Sequence, residues 1–332
     1  MENKKKTVTV KNLTTVFPTS RGLIKAANEI SFSMSEGSCL ALIGESGAGK
    51  SVTALSLLRL VPPPGRITGG EIILDNQDLL KLGSAEMRRV RGDDLALVFQ
   101  DSLSTFNPVR PIGAHICETI NTHRRLSNGE AKEIALGKMA DMGLPAERVF
   151  KSFPFQLSGG MRQRAALAMA LSLHPKLLIT DEATTSLDVT LQAQVLHYLK
   201  KHLQDCCMSV LFISHDLAAA AAVADRVAVI YAGRIVESGP LKEVFQKPLH
   251  PYTEALIGSH PSFCSGTLEP IKGSPPDLAN LSAGCSFVSR CSKASGICHQ
   301  IAPVLQEAPT GHQAACHLLV GKVVDDGEVA VS

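Results

Sequence analysis

The chain has 332 residues, 45% of them hydrophobic, and a formal net charge of +2. That length suits one large domain with an appendage, and the apolar fraction marks a globular protein with a full core. Near-neutral charge, no tryptophan and only three tyrosines exclude a surface built to neutralise nucleic-acid phosphates or stack single strands.

The start, "MENKKKTVTV", is basic but has no apolar run behind it, so it does not read as a secretory signal. The next strong patterns alternate apolar and polar positions: "TVTVKNLTTVF", "EISFSM" and "GEIILD" are expected as antiparallel strands. Among them "CLALIG" is continuously apolar and suits a strand buried on both faces. From "VFQDSLSTFNPV" to Leu173 the pattern turns helical, with helices expected at "SNGEAKEIALGKMADMG", capped by Ser127, and from Met161 to a stop at Pro175. Strands and helices then alternate through "KLLIT", "LQAQVLHYLKKHL", "SVLFIS", "LAAAAAVA" and "RVAVIYA", which predicts an α/β protein with a mostly parallel sheet between helices. The greasiest stretch, "LAAAAAVADRVAVIYAG", is interrupted by Asp225 and Arg226 and is short of a membrane span. A composition shift near Pro248 places a main domain at 1–246, with a helical subdomain at about 101–174, and a Pro-, Gly-, Ser- and Cys-rich extension at 247–332. Cytosolic residence is expected, so the nine cysteines are read as thiols or metal ligands.

"GESGAGKS", Gly44 to Ser51, follows the buried strand and precedes a helical run. It fits the phosphate loop G-x-x-x-x-G-K-[ST]: Gly44, Glu45, Ser46, Gly47, Ala48 and Gly49 offer backbone around phosphates, Lys50 reaches the β/γ oxygens, and Ser51 binds Mg²⁺. Asp181 and Glu182 close the apolar strand "KLLIT", where one carboxylate can hold Mg²⁺ and the next polarise an attacking water. Gln100 ends "LALVFQ" and His215 follows "SVLFIS"; ligands of parallel sheets gather at such carboxyl ends. "LSGGMRQR" adds a second glycine-rich helix start at Ser158, Gly159 and Gly160, an anion-binding end far from the first.

The P-loop, Gln100, "LSGG", "LLITDE", "SLD" and "ISHD", in this order, resemble the ATP-binding cassette of ABC transporters. The resemblance implies a P-loop NTPase fold: a RecA-like parallel-sheet core, an antiparallel β subdomain and a helical signature subdomain. It implies ATP and Mg²⁺ as ligands, with Glu182 the base, Lys50 the charge clamp, Ser51, Gln100 and Asp181 the Mg²⁺ set, and His215 the γ-phosphate sensor. Val52 belongs to the same nucleotide-binding run. Family cassettes dimerise head to tail, so Ser158, Gly159 and Gly160 would face the partner's ATP and Asp188 would lie across the interface. Phe17 falls where the family stacks an aromatic on adenine, although a phenylalanine in such a strand also suits a core.

"LSGGMRQR", "DEATTSLDVTLQAQ", "FQDSLSTFNPV", "HPYTEAL" and the tail from "GSPPDL" resemble the oligopeptide/dipeptide importer subgroup. That implies a second related ATPase subunit, two transmembrane permeases, an extracytoplasmic binding protein and a place on the cytoplasmic face of the membrane. The segment after Gln100 would meet the permease. A nickel or metallophore importer motor is the alternative cargo reading, and a soluble non-transport ABC ATPase the alternative class. Ala183 stands where the family usually has proline, and "FPFQ" replaces Tyr-Pro-His.

In the tail, Cys285, Cys291, Cys298 and Cys316 are spaced C-x₅-C-x₆-C-x₁₇-C. Four thiolates suit Zn²⁺, but C-x₂-C knuckles are missing. The importer resemblance favours a [4Fe–4S] cluster over zinc, with four unrelated buried thiols the remaining reading. His299, His312 and His317 are expected at the surface.

Overall fold

The computed structural model describes residues 6–99, 105–184, 187–205, 208–263, 270–308 and 311–319. Gln100 lies outside them. The chain opens with β1 (Lys6–Thr19) and β2 (Gly22–Ser35), then the fully buried β3 (Cys39–Ile43) and α1 (Lys50–Leu57). Strands β4 (Arg66–Leu74) and β5 (Gln77–Asp78) follow, then α2 (Ser84–Asp93) and β6 (Leu95–Val98). Four helices come next: α3 (Ile112–His123), α4 (Asn128–Asp141), α5 (Ala146–Lys151) and α6 (Gly159–Leu171). Alternation resumes with β7 (Leu177–Asp181), α7 (Val189–Asp205), β8 (Ser209–Ile213), α8 (Leu217–Val223), β9 (Arg226–Tyr231) and β10 (Arg234–Pro240). Helix α9 (Leu241–Gln246) follows, and the tail contributes α10 (Pro251–Gly258), α11 (Gly296–Gln300), β11 (Gln306–Ala308) and β12 (His312–Ala314).

Two compact units result, one built on Ser33–Cys39 and Ile72–Val223, the other on Val10–Phe32, Leu40–Glu71 and the chain from Ala224 onward. In the first, β6, β7 and β8 run parallel, with Leu95 paired to Leu177 and Leu177 to Ser209. Every residue of β7 and β8 is buried, the outcome expected of continuous apolar runs covered on both faces. The helical layer α3–α6 packs through Ile112, Ile116, Ile120, Ala131, Ala135 and Ala165, all fully buried. The Ser127 cap is present as a reciprocal box, its hydroxyl accepting from the Glu130 N–H while the Glu130 carboxylate accepts from the Ser127 N–H at 2.8 Å. Helix α6 starts at Gly159, two residues before the expected Met161, because the Ser158 hydroxyl caps it by accepting from the Met161 N–H at 3.3 Å.

In the second unit β3 and β9 are parallel, and the order continues antiparallel through β10, β12 and β11. The tail therefore extends a sheet: Glu237 of β10 pairs with Ala314 of β12. A register shift between Ile235 and Glu237 marks a bulge on β10. Beside it the fully buried Glu237 carboxylate accepts from the N–H groups of Leu249 and His250, each at 2.8 Å, and pairs with His312 Nε2 at 2.6 Å. His312 is thus buried, against the surface expectation, because Glu237 needs a partner there. His299 is exposed, and His317 is half-buried with its Nε2 2.9 Å from the Ile301 carbonyl. Among the described residues no helix is long and apolar enough to cross a membrane.

Candidate active site

The loop 44–49 joins the buried β3 to α1, and its shape depends on two glycines. Gly44 has φ +155° and Gly49 φ +106°. A Cβ on Gly44 would overlap the Ile230 carbonyl, and one on Gly49 the Ala26 carbonyl. Both positions therefore require glycine for conformation and for space. Lys50 opens α1 and is almost wholly buried; its Nζ donates to the Gly44 carbonyl at 2.7 Å and to the Glu45 carbonyl at 2.9 Å. The ammonium is thus folded over the loop that it closes. Ser51 is exposed, Val52 half-buried, and Ser46 and Gly47 lie in the loop itself. The Glu45 side chain points elsewhere: both carboxylate oxygens accept from Arg290, and its N–H donates to Tyr252 Oη at 2.8 Å. The half-buried ring of Phe17 packs against Gly65, where even a Cβ would collide with it.

In the other unit, Asp181 ends β7 and is buried. Glu182 follows with φ +52°, a left-handed conformation uncommon for a residue with a side chain, and its N–H donates to the Ile213 carbonyl at 2.9 Å. The kink sets the Glu182 carboxylate 3.1 Å from Nδ1 of His215, which is 59% exposed. Ala183 and Thr184 behind it are buried, so the residue in place of the family's proline fills a closed position. The two candidates nominated separately, base and sensor, stand in contact with each other. Asp216 next to His215 anchors the turn: its Oδ1 caps α8 through Ala218 and Ala219, and its Oδ2 accepts from Gln192 at 3.2 Å.

The signature start is organised differently. Ser158, Gly159 and Gly160 open α6, and a Cβ on Gly159 would meet only the Arg162 guanidinium, at 3.9 Å. That guanidinium is held by the Pro154 and Leu157 carbonyls. Asp188 accepts from the Leu191 N–H at 2.9 Å, capping α7.

Cys285, Cys291, Cys298 and Cys316 come together as walls of one small enclosed void, with Pro251, Phe287, Val288 and Pro303 as apolar neighbours. Burial raises the thiol pKa values of Cys285, Cys291 and Cys316, so these groups hold their protons at neutral pH. Among the described residues no three His, Cys, Asp or Glu side chains stand close enough to hold a single metal ion. Sequence reasoning gave no role to Arg290 and Tyr252, which reach Glu45 of the P-loop from the tail, or to Tyr231 of β9, which bonds Arg290.

Comparison with known proteins places these parts in one context. Residues 27–185 match the family model described as ABC transporter, and 236–298 match oligopeptide/dipeptide transporter, C-terminal region. A putative peptide import ATP-binding protein of Brucella melitensis is 45% identical over 322 residues, covering 92% of this chain and 95% of that protein. The dipeptide transport ATP-binding protein DppD of Bacillus subtilis is 41% identical, covering 94% of this chain and 95% of its own. Among solved structures, the dimeric post-hydrolysis form of the ATP-binding cassette MJ0796, bound to ADP and Pi, superposes with a TM-score of 0.66 at 27% identity, covering 70% of this chain and 98% of that one. The chain belongs to the ABC transporter family, as an ATP-binding cassette carrying the oligopeptide/dipeptide-type C-terminal region.

Proposed function

We propose that the chain is the ATP-hydrolysing subunit of a peptide importer. The observation that carries the reading is the Glu182–His215 pair at the carboxyl ends of β7 and β8, in a chain alike throughout its length to proteins named for peptide import. Glu182 takes the proton of the attacking water, His215 reads the γ-phosphate, and Lys50 clamps the β/γ oxygens. Ser51, Asp181 and Gln100 are the groups to hold Mg²⁺, which neutralises charge developing on those oxygens. Phe17 is the adenine-stacking residue, its half-buried ring packed against Gly65.

The open Gly159 end of α6 supports a grip on a nucleotide held by a second cassette, in a head-to-tail pair with Asp188 at the seam. A related but different subunit is the partner in this reading, with two permeases and a binding protein completing an importer on the cytoplasmic membrane face. Val109, 76% exposed, lies in the described part of the segment assigned to the permease, where Phe106 is buried. The division into a cassette at 1–246 and an extension at 247–332 follows the same family pattern.

Four thiols lining one void are the donor set that a [4Fe–4S] cluster takes, which is what supports this reading. Its role is a staple for a tail with little core of its own, whose small apolar cluster is Ala314, Cys316, Leu319 and Leu249. Protein purified without oxygen is expected to be brown, with about four irons per chain. Colourless protein with stoichiometric zinc would replace that assignment.

Glu182→Gln in the assembled transporter is expected to keep ATP binding and to lower turnover by about 10²–10⁴-fold. Near-normal hydrolysis would remove Glu182 from its role. Uptake of labelled di- and oligopeptides by vesicles, with Ni²⁺ and a metallophore as competing cargo, decides the substrate.

A further inference from the structure

The P-loop is held from outside by the tail. Arg290 sits between Cys285 and Cys291, at the end of a 3₁₀ turn (Val288–Arg290). Its side chain is 3% exposed. Nη1 donates to Glu45 Oε2 at 2.7 Å and Nη2 to Glu45 Oε1 at 2.8 Å, a two-pronged pair on the second residue of the P-loop. Nη1 also donates to Tyr231 Oη at 3.2 Å, and Nε to the Lys272 carbonyl at 2.9 Å. The guanidinium lies 5.8 Å from the Phe287 and Tyr231 ring centres. From α10, Tyr252 Oη accepts the Glu45 N–H.

The turn that carries Arg290 is itself built on the cysteine segment: the Val288 N–H donates to the Cys285 carbonyl, and the Cys291 N–H to the Val288 carbonyl. Cys285 and Cys291 both face the shared void. The turn thus joins the wall of that void to the side chain that holds Glu45. Separating the pair would leave a buried guanidinium without its carboxylate, a costly arrangement.

We propose that Arg290 is a positioning residue for the P-loop, and that through it the state of the cysteine pocket sets this chain's affinity for ATP. The proposal rests on the reading of 44–51 as the ATP loop. It makes the extension a part of the nucleotide site, acting on the loop's shape without touching nucleotide.

Binding of a fluorescent ATP analogue with Mg²⁺ to the full chain, purified without oxygen, tests it. Arg290→Ala and Glu45→Gln are each expected to weaken binding about tenfold, within the usual range of coupling between sites. The Glu45 variant keeps the side chain's shape and guards against simple misfolding. The double variant should be no weaker than either single one. Arg290→Lys should recover only part, because one ammonium cannot reproduce the fork. Cys291→Ser should weaken binding like Arg290→Ala, and add nothing in the Arg290→Ala background. Affinity of Arg290→Ala and Glu45→Gln within about twofold of the parent overturns the proposal, as does full additivity of Cys291→Ser with Arg290→Ala. Parent protein that binds no more nucleotide than Lys50→Ala removes the P-loop reading, and this inference with it.

Discussion

The two glycine-rich helix starts, at α1 and at α6, share composition and differ in how they are held. The P-loop is fixed from every side: Gly44 against Ile230, Gly49 against Ala26, Lys50 folded onto its carbonyls, and Glu45 tied to Arg290 and Tyr252. The α6 start has one hydroxyl cap and open space beside Gly159. Both offer N–H groups and a positive helix end. One is shaped completely by its own chain, as suits a loop that wraps a ligand. The other is left open beside Gly159 among the described residues.

The contrast predicts a graded set of effects. Gly49→Ala would force a side chain into φ +106° and against a carbonyl, for a cost of at least about 3 kcal/mol and loss of nucleotide binding. Denaturant titration and nucleotide binding measure the two; unchanged values would mean the loop is less constrained than its geometry says.

Acidification should also act on the P-loop side. His250 is buried, its pKa pushed down to about 4 by desolvation. Its Nδ1 accepts from the N–H of Tyr252, the residue that supports Glu45. The folded protein keeps this histidine neutral while the unfolded chain takes up a proton below about 6.5. Stability is therefore lost as pH falls from 6.5 towards 4, by up to about 3 kcal/mol. Hydrogen exchange in α10 and the P-loop should accelerate across this window, and replacing His250 with asparagine should flatten the response.

At the α6 start, Ser158→Ala should cost about 1 kcal/mol through loss of the cap, visible as fraying of that helix turn. Gly159→Ala should change stability by less than about 1 kcal/mol, since alanine favours helix and only a movable guanidinium is near. Gly159→Asp would leave the fold intact and this chain's own P-loop occupied, while disabling the site completed with the partner. Separate labelling of the two nucleotides reads that out.

What the sequence made legible follows from range. The P-loop, the Asp181–Glu182 pair, His215 and the Ser127 cap are short stretches whose residue types and order state their geometry. Continuous apolar runs announced β3, β7 and β8 for the same reason. The contacts that hold the P-loop in place have no such local mark. Arg290 and Glu45 are 245 positions apart, and Glu237 and His312 are 75 apart. Strand β12 reads "HQA", too short and polar for any periodicity, and becomes a strand only because β10 offers it an edge. The buried histidine was misread for that reason: its environment is made by a bulge on a distant strand.

That added strand has a consequence for solubility. Without β11 and β12, the edge of the second unit's sheet would be β10, with Ile235, Val236 and a line of unpaired backbone groups open to any passing strand. Among the described residues the outermost position instead belongs to β11, three residues long and bearing Gln306 and Glu307, a poor template for further pairing. Among the described residues β12 and β11 thus cover the β10 edge. Truncation before Gln306 is expected to yield concentration-dependent oligomers by light scattering, even under conditions where the cassette stays folded.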